Sequence, residues 1–452
     1  MIINILIRNI INFIFIYLYH MFVSPLSKIL ASFVKQDLLN ERSSSNRHIF
    51  QSSSPMQMQI FKHLFDSLAK SHQICKTNHI SVHQIEDLTN GPFINKESVS
   101  SYIPESIRSH ILSNLDRERV FQFMLGDRII QVHIIYSENR QRLSNSVILG
   151  MIYRMYLWLS IIIQYASAQC AHNLNIFVFF SEKTKHMPVS KTNIIGREHV
   201  NTAFTTSCQP DINIHIFRQE EWFKVFIHES FHCFGLDFSA MNMATELGDD
   251  IIKGHFGLQN GIDLRIYETY TETWAEIIHT FIYGFIRCNV RSWENVFRNF
   301  AKFLKNEQMF SIFQCCKVLN QNGLSYRNVC EKSMQRYNEK SHIFSYYILK
   351  SELLFHINDF MDWCILNNGS RNESTDESTD ESNNTSLNKI VFRKTTQNIR
   401  EFCKLLMNLS CQTEYISIVS EIEQKILYYK QMSKPSHEIR DIMNTLRMTI
   451  YG

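Results

Sequence analysis

The spacing of apolar residues changes several times along this chain, and each change marks an element. Residues 120–136, VFQFMLGDRIIQVHIIY, alternate apolar and polar positions on either side of a Gly-Asp pair, which predicts two strands joined as a hairpin. From 143 to 169 leucine, isoleucine, methionine and tyrosine recur at helical spacing, and the short apolar run NIFVFF at 175–180 then reads as a strand. HVNTAFTT and the alternating DINIHIF at 211–217 are further strand candidates, and EEWFKVFIHESFHCFGLDFS reads as a buried helix ended by Gly235. The predicted order is sheet, backing helix, sheet, site helix, an α+β arrangement with mostly helical flanks.

Outside this core the pattern breaks in three places. The first 23 residues, MIINILIRNIINFIFIYLYHMFV, form an apolar stretch long enough for a membrane-spanning helix of about 20 residues. No small-residue cleavage site follows, and Lys28, Lys35, Arg42 and Arg47 would hold the rest of the chain in the cytosol. Arg8 inside the stretch supports the alternative, an amphipathic or buried helix. Ser-rich residues 43–54 read as a linker, and the acidic run NGSRNESTDESTDESNNTS cannot bury enough apolar surface to repay ordering. The expected units are therefore a hydrophobic segment at 1–35, a linker at 36–56, a central unit at 57–367, an acidic linker at 368–388 and a helical appendage at 389–452.

Composition narrows the function classes only slightly. With 46 basic and 43 acidic residues the formal charge is +3, so nothing calls for nucleic acid. The 11 cysteines are scattered, odd in number and free of CxxC spacing, which predicts reduced thiols rather than a disulfide framework.

The chemistry is concentrated at 228–232, His-Glu-Ser-Phe-His. On a helix, positions i and i+4 share a face, so His228 and His232 can offer two imidazole nitrogens to one zinc ion, with Glu229 beside a water at the open position. Glu229 is the expected general base. A third ligand is needed, and YETYTETWAEIIH carries Glu268, Glu272 and Glu276 along one helical face. Glu272 is the expected ligand, with Glu276 orienting a metal-bound histidine from the outside; Glu268, Glu276 and Asp237 are the alternatives. Tyr267, Tyr270, His199, His255 and His279 are candidate oxyanion donors among which the linear sequence does not choose.

The motif and the later acidic helix resemble the zincin metallopeptidases, specifically the gluzincins, in which a glutamate from a later helix completes the site. Glu272-Thr273-Trp274-Ala275-Glu276 looks like their ExxAD element, with Glu276 in place of the aspartate. The resemblance implies a mixed sheet whose edge strand, from 200–206 or 213–217, binds an extended peptide. It implies one Zn2+ as cofactor and a peptide or protein as substrate. HESFHCFGLDFS also resembles the metzincin signature, but Phe238 stands where that family has its third histidine. The anchor-like start and AT-biased composition are similar to zincin-like proteins of large DNA viruses. Two other readings are a zinc-binding structural or virion-associated protein without turnover, and a non-peptidase zinc amidase that would need Cys208 near the metal.

Overall fold

Alternating residues of β2, β3 and β4 are buried, and these strands belong to a six-stranded mixed sheet in the order β1-β2-β3-β4-β6-β5. The computed structural model describes residues 24–39, 54–77, 83–89, 100–140, 143–190, 194–368 and 386–452. The apolar stretch at 1–23, most of the Ser-rich linker and the acidic run at 369–385 lie outside these residues.

β1 (His83–Thr89) pairs antiparallel with β2 (Arg117–Leu125), which pairs antiparallel with β3 (Arg128–Tyr136). The predicted hairpin turn is present, and Gly126 at φ +62° takes the left-handed position that a two-residue loop requires. β4 (Asn173–Phe179) runs parallel to β3, and β6 (Asp211–Ile216) runs parallel to β4. β5 shrinks to Ala203–Phe204, antiparallel to β6, and occupies the edge. Of the two stretches expected to supply an edge strand, 200–206 does so and 213–217 lies inside the sheet.

Numbering helices in chain order, α1 is Pro25–Phe33, α2 Pro55–Thr77, α3 Glu105–Asn114 and α4 Asn145–Ile162. α5 is Trp222–Cys233, α6 Asn242–Phe256, α7 Ile266–Ile286 and α8 Trp293–Gln321. α9 is Lys350–Phe355, α10 Ile357–Asn367, α11 Thr396–Leu409, α12 Thr413–Gln431 and α13 His437–Asn444. α3 covers a small patch on one face of the sheet through Ile107 and Ile111 against Ile135 and Phe179. α4 packs against α2 and α5, and α5 packs against β6 and α7. By length and composition α4 could cross a membrane, but 61% of it is buried inside the fold. Its apolar surface is core surface. α7 is buried on nearly every side; only Tyr267, Tyr283 and Ile286 retain partial exposure, as an apolar helix at the centre of a large core should.

The region after 388 is not an appendage. α11 packs on α6, α12 on α8, and Leu406, Ile418, Met448 and Tyr451 belong to the same apolar cluster as the sheet and α5. Residues after α13 return to the centre as an extended tail whose backbone is satisfied by buried side chains. Glu221 Oε1 accepts from the Met448 and Thr449 amides at 2.6 and 2.7 Å. Glu307 accepts from the Ile450 amide at 2.9 Å, and Lys350 donates to the Met448 carbonyl at 3.2 Å. A buried chain segment needs such partners for each polar backbone group, and here charged residues of the central unit provide them.

Candidate metal centre

Lys224, His228 and His232 recur at four-residue intervals along α5, so they form one stripe on a helix whose other positions, such as Phe226, Ile227 and Phe231, fill the core. Glu268, Glu272 and Glu276 form a matching stripe on α7. The stripes face each other in opposite directions. Lys224 pairs with Glu272, His228 lies between Glu272 and Glu268, and His232 reaches Glu268.

The outer nitrogen of each imidazole is held by a carboxylate. His228 Nδ1 lies 2.9 Å from Glu272 Oε2, and His232 Nδ1 lies 2.5 Å from Asp237 Oδ2. Asp237 gets there because α5 ends in a Schellman turn. Gly235, at φ +66°, donates to the His232 carbonyl at 3.0 Å, and Leu236 donates to that of Phe231 at 2.8 Å. The chain then reverses and brings Asp237 under the ring. Phe238 points into an aromatic cluster, 4.1 Å from Phe392 between ring centroids. At the other side of α5, Trp158 Nε1 donates to Ser230 Oγ at 2.7 Å and fixes the helix against α4.

With both Nδ1 atoms engaged, both Nε2 atoms turn inward and face each other at 3.1 Å. Glu268 Oε2 lies 3.0 Å from His228 Nε2 and 3.5 Å from His232 Nε2. That oxygen is buried and receives no well-directed hydrogen bond. Three lone-pair donors therefore converge on one point, all within 4.8 Å of one another and all buried. A tetrahedral ion with bonds of about 2.0–2.1 Å would hold adjacent ligand atoms about 3.3–3.4 Å apart. The observed separations fit, so this group could hold a metal ion.

The third donor differs from the expected one. Glu272 binds the outside of His228 instead of completing the triad, and Glu276 meets Lys350 at 3.4 Å instead of a histidine. The arrangement is that expected from the sequence, shifted one helical turn toward the start of α7. The same register pairs the buried ammonium of Lys224, one turn before His228, with Glu272. Asp237, the minor ligand candidate, orients His232 rather than adding a donor.

Electrostatics divide the cluster. Burial opposes ionisation of Glu268, but His232 and His228 hold its carboxyl well below the usual range. Burial likewise opposes charge on Glu272, yet Lys224 and His228 keep it ionised. Glu229 is pushed up by burial, with both histidines pulling the other way. It lines a cleft of about 40 Å³ together with Lys185, Thr202, Ala203, His228, Tyr346 and Met448. Edge strand β5 thus contributes to the wall beside Glu229.

Among the candidate oxyanion donors only Tyr267 comes near the centre, its ring 5.8 Å from that of His232. Tyr270 donates to the Ile390 carbonyl, His199 accepts from the Gly196 amide, His255 packs on Phe256, and His279 faces a second cavity. Tyr346 joins the site from outside that set of candidates. It stands in a π-helical turn at Phe344–Leu349, its ring 6.1 Å from His228. Burial and the charges of Glu268, Glu229 and Glu272 push its hydroxyl well above the ordinary range. Nothing in the sequence around it signals a site.

Cys170 and Cys208 form a disulfide, contrary to the expectation of reduced thiols throughout, while Cys233 and the other described cysteines are free. The parallel register of β4 and β6 brings the two loops together, Ala171 donating to the Gln209 carbonyl at 2.7 Å. Although the Cys208 amide donates to the His232 carbonyl at 3.2 Å, its sulfur is bonded, so it offers no thiolate to the centre.

In comparisons with family models, curated proteins and solved structures, no match to this chain was found. Its function is therefore read from the geometry of the site.

Proposed function

We propose that this chain is a zinc-dependent metallopeptidase. His228, His232 and Glu268 hold the ion, and Glu272 and Asp237 fix the tautomer and tilt of the two rings. The observation that carries the reading is the convergence of both Nε2 atoms and Glu268 Oε2 with Glu229 in the adjoining cleft. Zinc held by these residues would supply a Lewis acid able to polarise a carbonyl and to lower towards neutrality the pKa at which a water gives up a proton. Glu229 takes that proton and returns it to the leaving amine; its burial raises its basicity for the task. Tyr346, kept protonated by burial and neighbouring carboxylates, is the donor available to the developing oxyanion. β5 offers an edge to which an extended peptide can add beside Ala203.

Elemental analysis together with peptide-library turnover tests this. One zinc per chain is expected, with turnover reduced about 100- to 10,000-fold in Glu229→Gln at unchanged zinc content. Full turnover in that variant, or equal zinc in His228→Ala and His232→Ala, would remove the assignment.

A second reading has its own support. The cleft beside Glu229 is only about 40 Å³, and His228, Glu229 and His232 are 6–8% exposed, which suits an ion that stabilises the fold without turnover. It predicts one zinc, loss of stability on chelation and no hydrolysis by the unaltered chain.

A further inference from the structure

The turn that carries Asp237 to His232 packs against the Cys170–Cys208 disulfide: a Cβ placed on Gly235 would lie 3.3 Å from Cys208 Cβ and 3.5 Å from Cys170 Sγ. Backbone pairing ties the two loops together just beyond the bridge. The Ala171 amide donates to the Gln209 carbonyl at 2.7 Å and the Asn173 amide to that of Pro210 at 2.9 Å. Residues 205–208 belong to no helix or strand, so the disulfide extends the tie by one residue into a segment without regular structure. Its other end is fixed: Cys170 is buried, and its carbonyl accepts from Arg128 Nε at 3.3 Å.

From this segment two hydrogen-bonded routes run to His232. The Cys208 amide donates to the His232 carbonyl at 3.2 Å. Ser207 Oγ lies 2.9 Å from Ser239 Oγ, and Ser239 Oγ donates to Asp237 Oδ1 at 2.9 Å. A hydroxyl has one proton to donate, so Ser239 directs its own at Asp237 and accepts from Ser207. Asp237 Oδ2 then holds His232 Nδ1 at 2.5 Å, with Thr271 Oγ1 at 3.4 Å on the same oxygen. The bridge is thus connected through Ser207, Ser239 and Asp237 to one imidazole, whereas the other, His228, is oriented from α7 by Glu272.

We propose that the Cys170–Cys208 disulfide is a redox latch on the metal centre: closed, it holds Asp237 on His232, and its reduction by a dithiol lowers the affinity for zinc. The inference rests on the reading of His228, His232 and Glu268 as metal ligands. Cys208 is partly exposed and Cys170 buried, so the incoming thiolate attacks Cys208 Sγ; the S–S bond breaks and Cys170 leaves as a thiolate that takes a proton from solvent. The second thiolate of the reductant then displaces Cys208 from the mixed disulfide. Two electrons pass from the dithiol, which ends as a disulfide, and the two protons it gives up are balanced by those gained at Cys170 and Cys208. Ser207 then loses its fixed neighbour, and the route through Ser239 to Asp237 slackens. Thr271 still holds Asp237, so zinc binding weakens without being lost.

Chelator competition for zinc tests this on the full chain, either oxidised or treated with a phosphine that is then removed. Thiol counting should find nine free thiols before reduction and all 11 cysteines free after it. Reduction is expected to raise the Kd for zinc about tenfold, the scale of losing a partner to a metal-bound histidine. Cys170→Ser combined with Cys208→Ser should show the weaker affinity in both conditions at unchanged circular dichroism; if that variant does not fold, the reduced unaltered chain carries the comparison. Reduction should have little effect in Asp237→Asn and its full effect in Glu272→Gln, an asymmetry that general loosening of the fold would not produce. Eleven free thiols before reduction, equal or tighter zinc binding after it, or an equal effect of reduction in Asp237→Asn and Glu272→Gln overturns the latch and leaves the metal centre standing. Zinc bound in neither state overturns both.

Discussion

The two ends of the stripe between α5 and α7 carry the same residue classes and differ in one respect, the balance of charge. At the Lys224 end, cations and carboxylates alternate: Lys224 with Glu272, Lys185 with Glu221 at 2.7 Å, Lys350 with Glu276 at 3.4 Å. At the His232 end, Glu268 and Asp237 face two imidazoles, and among the described residues no lysine is ion-paired with either, although Lys394 attracts Asp237 from beyond ion-pair range. Density of buried charge is the same kind of feature at both ends. A deficit of positive charge marks only one of them, and that deficit distinguishes a place for a cation from a structural ion-pair network.

The largest expected effect lies at the balanced end. Lys224→Met removes the cation that the buried Glu272 faces, and breaking one side of a buried pair typically costs about 3–5 kcal/mol. Urea denaturation would measure it, with Lys62→Ala at the exposed Lys62–Asp66 pair as the comparison, expected below about 1 kcal/mol. Equal losses in the two variants would show that the Lys224 end carries no special weight.

At the unbalanced end the expected effect is on metal affinity. Glu268→Gln removes a donor and should weaken zinc binding by more than about 100-fold, whereas Glu272→Gln and Asp237→Asn disturb only ring orientation and should cost about 10- to 100-fold each. Competition with a chromogenic chelator ranks the three. A larger loss in Glu272→Gln than in Glu268→Gln would restore the sequence-based choice of ligand.

The convergent group contains Glu268, one turn before the Glu272 expected from the sequence, and the difference is one of register. The hairpin, the strands at 173–179 and 211–216, the helix bearing His228 and His232 and its end at Gly235 were all legible, because each is written in local periodicity or in a glycine at a left-handed position. Four-residue spacing places Glu268, Glu272 and Glu276 on one face but cannot say which turn of α7 lies opposite which turn of α5. Lys224 was the available clue: a lysine one turn before His228, inside the apolar stretch WFKVFI, had to find a buried carboxylate. Other features had no local signal. Tyr346 enters through a π-helical turn more than a hundred residues after the motif, and the tail at 446–452 is buried by Glu221 and Glu307, partners distant in sequence. Cys170 and Cys208 are likewise joined only by the pairing of β4 and β6.

The smallest expected effect tests whether the turn after α5 acts on the unbalanced end alone. Gly235 at φ +66° would carry a strained side chain as alanine, costing about 1–2 kcal/mol. The added methyl would lie 3.2 Å from Lys394 Nζ, which can swing away, and 3.3 Å from Cys208 Cβ, which the bond to Cys170 holds in place. The turn should therefore shift by a few tenths of an ångström and carry Asp237 with it, loosening the grip on His232 Nδ1 while leaving Glu272 on His228 untouched. Gly235→Ala is accordingly expected to lower stability to urea by that amount and to weaken zinc binding less than Asp237→Asn does. The same substitution in an Asp237→Asn background should add little further loss of affinity, because both act through one contact. Fully additive losses would mean that the turn reaches the metal centre by a route other than Asp237.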